Sequence, residues 1–225
     1  MAALRAKLVA EALGTALLVA TVIGSGIMAT QLSRDVGVQL LANAVATGAM
    51  LVVLITMFGP VSGAHFNPVV SLVFALRREL GWSALAPYIA AQVLGGLAGT
   101  VIAHLMFGMA PLMAGGATRT GAALWFSETI ATFTLVLAIL LTLRHKAGNV
   151  AVIVGLVITG AYWFTASTSF ANPAVTLARG FTPSFAGIAL ADVPAFMIMQ
   201  MAGALAAWQA ERWLAASLSG EKSDA

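Results

Sequence analysis

The 225-residue chain contains no cysteine, so disulfide frameworks and thiolate metal sites are excluded. Charge is almost as scarce: Asp, Glu, Lys and Arg make up 8% of the residues, against about a quarter in an ordinary soluble domain. A chain this poor in charge cannot clothe itself in a polar shell. With 60% hydrophobic residues and a mean hydropathy of +0.97, its solvent is lipid. The net charge of +3 is spread along the chain rather than gathered on one face, which argues against a nucleic-acid partner. A phosphate-binding glycine loop, a Ser/His/Asp constellation and a paired catalytic carboxylate are all missing. No enzyme activity, cofactor or metal is expected.

What is present is long apolar stretches. A helix crossing a hydrocarbon core about 30 Å thick needs roughly 20 apolar residues. Six segments qualify, at about 8–30, 37–58, 82–108, 121–143, 148–165 and 185–210. The first follows Arg5 and Lys7 as a signal peptide would. Its apolar part, however, outruns the roughly 15 residues of such a segment, so it is read as a retained span. Pro87 and Pro194 fall inside two spans and are expected to bend them.

Two further apolar pieces, 67–76 and 172–178, are less than half the required length. Small and polar residues lead into each, Ser62-Gly63-Ala64-His65-Phe66 and Ser167-Thr168-Ser169-Phe170-Ala171. Irregular backbone at membrane depth survives only when buried in protein or lining a wet cavity. Each piece therefore reads as a re-entrant half-helix. The basic residues then divide unequally: Arg5, Lys7, Arg77, Arg78, Arg144, Lys146, Arg212 and Lys222 on one side, and Arg34, Arg119 and Arg179 on the other. By the positive-inside rule both termini belong in the cytoplasm. A polar tail, 218–225, follows the last span.

The chain repeats itself. Glu11-Ala12-Leu13-Gly14-Thr15 answers to Glu128-Thr129-Ile130-Ala131-Thr132, and Asn67-Pro68-Val69-Val70-Ser71-Leu72 to Asn172-Pro173-Ala174-Val175-Thr176-Leu177. Gln92-Val93-Leu94-Gly95-Gly96 answers to Gln200-Met201-Ala202-Gly203-Ala204. Three spans per half is an odd number, so the second copy enters the membrane from the opposite side. The expectation is one all-α membrane domain over 1–225, with six transmembrane helices plus two re-entrant half-helices in an inverted repeat (halves about 5–108 and 121–215). Such repeats place the functional site near the midplane, where the half-helices meet.

Those meeting ends are Asn67-Pro68 and Asn172-Pro173. Pro suits the first turn of a helix, and Asn before it is a favoured N-cap whose side-chain oxygen accepts a backbone N–H. The Asn amide NH₂ is then free to donate to a solute. Each helix N-terminus behaves as roughly half a positive charge; two of them about 6 Å from a monovalent cation, at an effective dielectric near 20, oppose it by about 3 kcal/mol. Neutral hydroxylated molecules meet no such barrier.

At these residues the sequence resembles the aquaporin family, the major intrinsic proteins. Ser62 to Pro68 is similar to the family's first signature, Asn172-Pro173-Ala174 to its second, and Glu11 and Glu128 match its first and fourth helices. The resemblance implies a right-handed bundle, usually a homotetramer with one pore per subunit. Two departures stand out. Val69 replaces the alanine of the first triplet, adding two methyls beside the central constriction. The position after the second triplet, usually the arginine of the outer filter, is Val175.

Counting from each Asn carries the remaining filter positions to Thr47, Gly160 and Ser169. With Val175 these form a ring without aromatic, His or Arg, expected to be wide. The resemblance is strongest to a bacterial branch with Asn-Pro-Ala-Val in loop E, associated with arsenic resistance. Expected permeants are water, glycerol-like polyols and metalloid hydroxides such as arsenite. A water-selective aquaporin is the alternative, and a gradient-coupled secondary transporter is the alternative of another class.

Arg179 has two readings: an interfacial anchor with a snorkelling charge, which is preferred, or a group reaching back over the pore mouth. His65 either lines the inner pore or braces its loop. His104 and His145 have no partners suggesting a metal. Glu11 and Glu128, intramembrane carboxylates that by default suggest a function such as proton relay, are read as acceptors for the re-entrant loops because their places repeat. Gly95 and Gly99 form a small-xxx-small packing pair.

Overall fold

The computed structural model describes residues 2–220, with side chains over 3–217. Eight α-helices run in order: α1 (Ala2–Leu32), α2 (Val36–Ser62), α3 (Pro68–Leu76), α4 (Trp82–Met106), α5 (Ala122–Lys146), α6 (Val150–Phe164), α7 (Pro173–Arg179) and α8 (Val193–Gly220). Single 3-10 turns occupy Ala147–Asn149 and Leu190–Asp192. Helices α1, α2, α4 and α8, and the α5–α6 stretch, are long and apolar enough to cross a membrane. The six spans and two half-helices of the sequence reading are all present.

The boundaries move in three places. The last span begins at Val193 rather than near 185, because 181–192 form a loop closed by the second 3-10 turn. Pro194 therefore sits in the first turn, where its missing N–H is harmless, and does not bend a helix interior. Helix α6, with 15 residues, rises only about 22 Å, and the 3-10 turn at its start supplies part of the remaining depth. The last helix continues to Gly220, which shortens the expected polar tail; Lys222 lies outside the described residues.

The two halves pack alike. Helix α1 lies on α4 and α2, and α5 lies on α8 and α6. Half-helix α3 wedges between α4 and α8, while α7 touches α8, α4 and α1. Close approach explains the glycines. A Cβ on Gly95 would stand 2.3 Å from the Ala12 carbonyl oxygen, and one on Gly99 2.3 Å from that of Ala16. The repeat partner Gly203 is equally close, at 2.3 Å, to the carbonyl of Thr129. Between the halves, Gly48 of α2 and Gly155 of α6 face each other, each Cβ position within 2.8 Å of the other's carbonyl oxygen.

Charge ties the ends. Buried Glu211 of α8 accepts from Arg77 Nη1 (3.0 Å), just past α3, and from Arg144 Nη2 (2.5 Å) on α5. This gathers the ends of α3, α5 and α8 at one face. Large apolar side chains such as Val9, Leu13, Val53, Leu94 and Ile198 are exposed along the helices.

Gly203→Ala is expected to force α5 and α8 apart and to destabilise the protein by about 1–3 kcal/mol. A lowered thermal midpoint in detergent, relative to wild type, checks this.

Candidate functional site

The site is built from the two re-entrant loops. Chain at membrane depth must have its backbone groups satisfied, and one carboxylate per half does this. Glu11 accepts from the backbone N–H groups of His65 (2.9 Å) and Phe66 (2.7 Å) and from the Ser62 hydroxyl (2.7 Å). Glu128 accepts from the N–H groups of Phe170 and Ala171, both at 2.9 Å. A glutamine then links each carboxylate to the neighbouring half-helix. Gln92 Nε2 donates to Glu11 and to Ser71 Oγ, each at 2.8 Å, and Gln200 Nε2 to Glu128 (2.6 Å) and Thr176 Oγ1 (2.8 Å). With every carboxylate oxygen accepting donors, Glu11 and Glu128 sit as braces behind the loops. Sequence reasoning found the carboxylates and missed the glutamine link, though Gln92 and Gln200 occupy matching places in the repeat.

The loops carry non-glycine residues in the left-handed region at matching positions. Phe66 (φ 48°) and Ala171 (φ 48°) precede the two Asn, and Ala64 (φ 50°) and Ser169 (φ 53°) lie three before them. Such residues cost about 1 kcal/mol or more each and persist only where the surroundings over-determine them. Here the turn sends each carbonyl across the midplane. Asn67 Nδ2 donates to the carbonyl of Ala171 (2.8 Å), and Asn172 Nδ2 donates to that of Phe66 (2.7 Å).

Both Asn also cap their helices. Asn67 Oδ1 accepts from Val69 N (3.1 Å), and Asn172 Oδ1 from Ala174 N (3.0 Å) and Val175 N (3.3 Å). Pro68 and Pro173 stand at the first helical position, as their missing N–H requires. The amides are thus not wholly free, as the sequence suggested: each uses one N–H across the midplane and keeps the other.

A single cavity of about 510 Å³ runs past the Asn pair, from the α5–α6 turn at Ala147 and Gly148 to Arg179. One wall is apolar, with Leu51, Ile139 and Val154 among its residues; the other carries the loops and the two Asn. Among the described residues no carboxylate lines it. Thr47, Ser169 and Val175 stand on this wall together. His65 does too, its Nδ1 3.0 Å from Ser71 Oγ and its ring against Phe74, so it lines the cavity and braces the loop at once.

Four expectations fail. Gly160 is exposed, with nothing within 4 Å of a Cβ there, and does not reach the cavity. Helix α6 turns the stripe Val154, Ile158 and Tyr162 inward instead, and the Tyr162 hydroxyl stands 3.3 Å from Thr47 Oγ1. The ring therefore does contain an aromatic. Val69 is buried in the helix packing, and Val70, the repeat partner of Val175, faces the cavity in its place. Ala174 likewise packs behind the wall.

Of the two readings of Arg179, the preferred one, an interfacial anchor, does not hold. Far from snorkelling, it is 2% exposed and lies on the cavity. Its Nε donates to the carbonyl of Ala186, and its guanidinium carbon is 3.3 Å from the centroid of the Phe170 ring. Sequence spacing could not reveal this, because both partners lie outside regular helices. His104, buried at the end of α4, contacts Thr182 Oγ1 (2.8 Å) and the Ala110 carbonyl (2.7 Å), partners of a structural kind.

Two capped half-helices meeting inside a bundle around a continuous cavity define an integral membrane channel. The chain belongs to the major intrinsic protein family, whose model it matches over residues 1–163, and it is a channel rather than an enzyme. It is 57% identical to "Aquaglyceroporin AqpS" of Rhizobium meliloti (strain 1021), over 92% of this chain and 89% of that one. It is 39% identical to "Probable aquaporin NIP7-1" of Arabidopsis thaliana, over 55% of this chain and 44% of the relative. Among solved structures, that of the aquaglyceroporin from Plasmodium falciparum superposes with a TM-score of 0.72 at 20% identity, over 92% of this chain and 94% of the other, a likeness of fold.

Two substitutions probe the geometry. Asn172→Ala removes a cap and leaves the Phe66 carbonyl unpaired, and is expected to destabilise the protein by about 2 kcal/mol, read as thermal midpoint in detergent. Gly160→Leu, on an outward face, is expected to leave solute permeability in reconstituted vesicles unchanged.

Proposed function

We propose that the protein is a passive channel for water and small uncharged solutes of the glycerol type, with metalloid hydroxides such as arsenite among them. The observation that carries this is the continuous cavity of about 510 Å³, bare of carboxylates, with the two Asn amides on its wall. Each amide keeps one N–H for a solute oxygen, and the paired helix N-termini oppose cations. An apolar wall facing a polar one suits a polyol, whose carbon side and hydroxyl side need different partners. The likeness to a relative named an aquaglyceroporin supports the glycerol part. Arsenite rests on its chemistry: an uncharged trihydroxide with the size and hydroxyl pattern of glycerol.

Thr47, Ser169 and Val175 act in this reading as the outer constriction, with Tyr162 in the place first given to Gly160. Asn67 and Asn172 form the central one. The protein functions as a homotetramer in a bacterial inner membrane, surrounded by lipid, with both termini in the cytoplasm. The cluster at Glu211 supports that orientation, since it gathers Arg77 and Arg144 at one face.

Stopped-flow light scattering on proteoliposomes tests the function. Water, glycerol and arsenite fluxes above those of empty vesicles are expected, unaffected by a proton or sodium gradient. Water flux alone would make this a water-selective pore, and gradient dependence would make it a transporter. Val175→Arg is expected to lower glycerol flux more than water flux.

A further inference from the structure

Position 175 lacks the cation that the outer constriction of this family usually carries, yet two guanidinium groups lie close by. One is Arg179, a single helical turn beyond Val175 on α7. Its Nε is used by the Ala186 carbonyl and one face of its plane by Phe170, while among the described residues its two Nη groups have no hydrogen-bond partner. A buried guanidinium with unused donors on a cavity wall is a group waiting for a solute. Beside it, Ser169 lines the same cavity, and among the described residues its hydroxyl, buried away from solvent, has no partner. The Thr47 and Tyr162 hydroxyls complete the set.

The second guanidinium belongs to Arg119, on the segment joining the two halves, 107–121. That segment is strapped onto the loop after α7: Met113 N donates to the Phe181 carbonyl (3.0 Å) and Ala189 N to that of Ala117 (2.9 Å). Arg119 itself is anchored three times. Its N–H donates to Asp192 Oδ2 (2.7 Å), its Nε to the Gly187 carbonyl (3.0 Å) and its Nη1 to the Ser167 carbonyl (3.5 Å). Its guanidinium carbon is 5.1 Å from the centroid of the same Phe170 ring that Arg179 covers. Two like charges on one ring repel. The three carbonyls, of Ala186, Gly187 and Ser167, and the π-face offset this.

We propose that Arg179 supplies the cation of the outer constriction, displaced one turn outward from position 175, and that Arg119 is a positioning residue holding it there through Phe170. This deepens the channel reading and rests on it. A neutral hydroxylated solute would accept from the Arg179 Nη groups, in a ring lined by Thr47, Tyr162 and Ser169 and left roomy below by Val175. Cation rejection is thereby kept without the narrowing that an arginine at 175 would bring.

The test measures proton and potassium leak, together with the glycerol-to-water permeability ratio, in proteoliposomes of wild type, Arg179→Gln, Arg179→Lys, Arg119→Gln and the Arg119→Gln/Arg179→Gln double variant. A unit charge about 6 Å from a permeating ion at an effective dielectric near 20 corresponds to a factor of about 100 in its population; with screening by pore water, a rise in cation leak of about tenfold is expected for Arg179→Gln. Arg179→Lys keeps the charge and loses the planar stack, so its leak stays near wild type while its solute ratio shifts. Arg119→Gln moves leak and ratio the same way as Arg179→Gln by a smaller factor, and the double variant is no worse than Arg179→Gln.

Should Arg179→Gln fail to fold, the swap Val175→Arg/Arg179→Val decides: low leak with reduced glycerol flux is expected, since the cation has moved inward. Arg179→Gln with wild-type leak and ratio would overturn the assignment. So would a swap with unchanged glycerol flux, while additive effects of the two single changes would overturn the role of Arg119. A wild type that passes no neutral solute at all would instead overturn the channel reading.

Discussion

Two hydrogen bonds exchanged across the midplane hold this structure to its form. Asn67 donates to the carbonyl before Asn172, and Asn172 donates to the carbonyl before Asn67. For those carbonyls to face across the axis, Phe66 and Ala171 must adopt left-handed backbone, which side-chain-bearing residues avoid. The loops in that conformation turn their N–H groups away from the pore, and Glu11 and Glu128 receive them. The carboxylates in turn need α1 and α5 close to α4 and α8, and Gly95, Gly99 and Gly203 permit the distance. Each feature is a requirement set by the one before it.

The same chain of requirements divides the cavity lengthwise. Loop backbone and Asn amides must be polar and lie on one side, because only there is the backbone irregular. The regular helices opposite satisfy their own backbone and present Leu51, Ile139 and Val154. A solute that is polar along one edge and apolar along the other matches this division. In the proposed channel, selectivity falls to the few side chains near Arg179 rather than to the Asn pair common to the family.

The fold is legible in the sequence for a physical reason. Lipid forces long apolar helices, and the two short pieces at Asn67 and Asn172 could only be re-entrant. The inverted repeat followed from counting spans. What failed was anything measured across irregular chain. Counting back to Gly160 runs through the segment 165–171, whose left-handed residues at Thr168, Ser169 and Ala171 make its length in space unreadable. Tyr162 faces inward as a result. Val69 and Val70 differ by a single residue on α3, about 100° of rotation, and spacing alone does not set that phase. Spacing does not choose between the two readings of Arg179 because its partners, Phe170 and the Ala186 carbonyl, come from loops without periodicity. Arg119 belongs to no motif, and the two glutamines, though matched in the repeat, carry no sign of their partners in the sequence.

The midplane exchange also has a consequence for how the protein is made. When the first half emerges from the ribosome, the Asn67 amide and the Phe66 carbonyl have no counterparts, for those lie 104 and 106 residues further along. At synthesis rates of about 5–20 residues per second, that interval is on the order of 5–20 s. Throughout it, a polar loop at membrane depth is half-satisfied, held only by contacts within its own half, those of Glu11 and Gln92 foremost. Half-helix α3 therefore reaches its final seat only when α7 arrives, and the pore closes around its axis as the last act of biogenesis. Translation that stalls between the halves leaves an inserted but unfinished membrane protein, with an open polar seam for quality control to find.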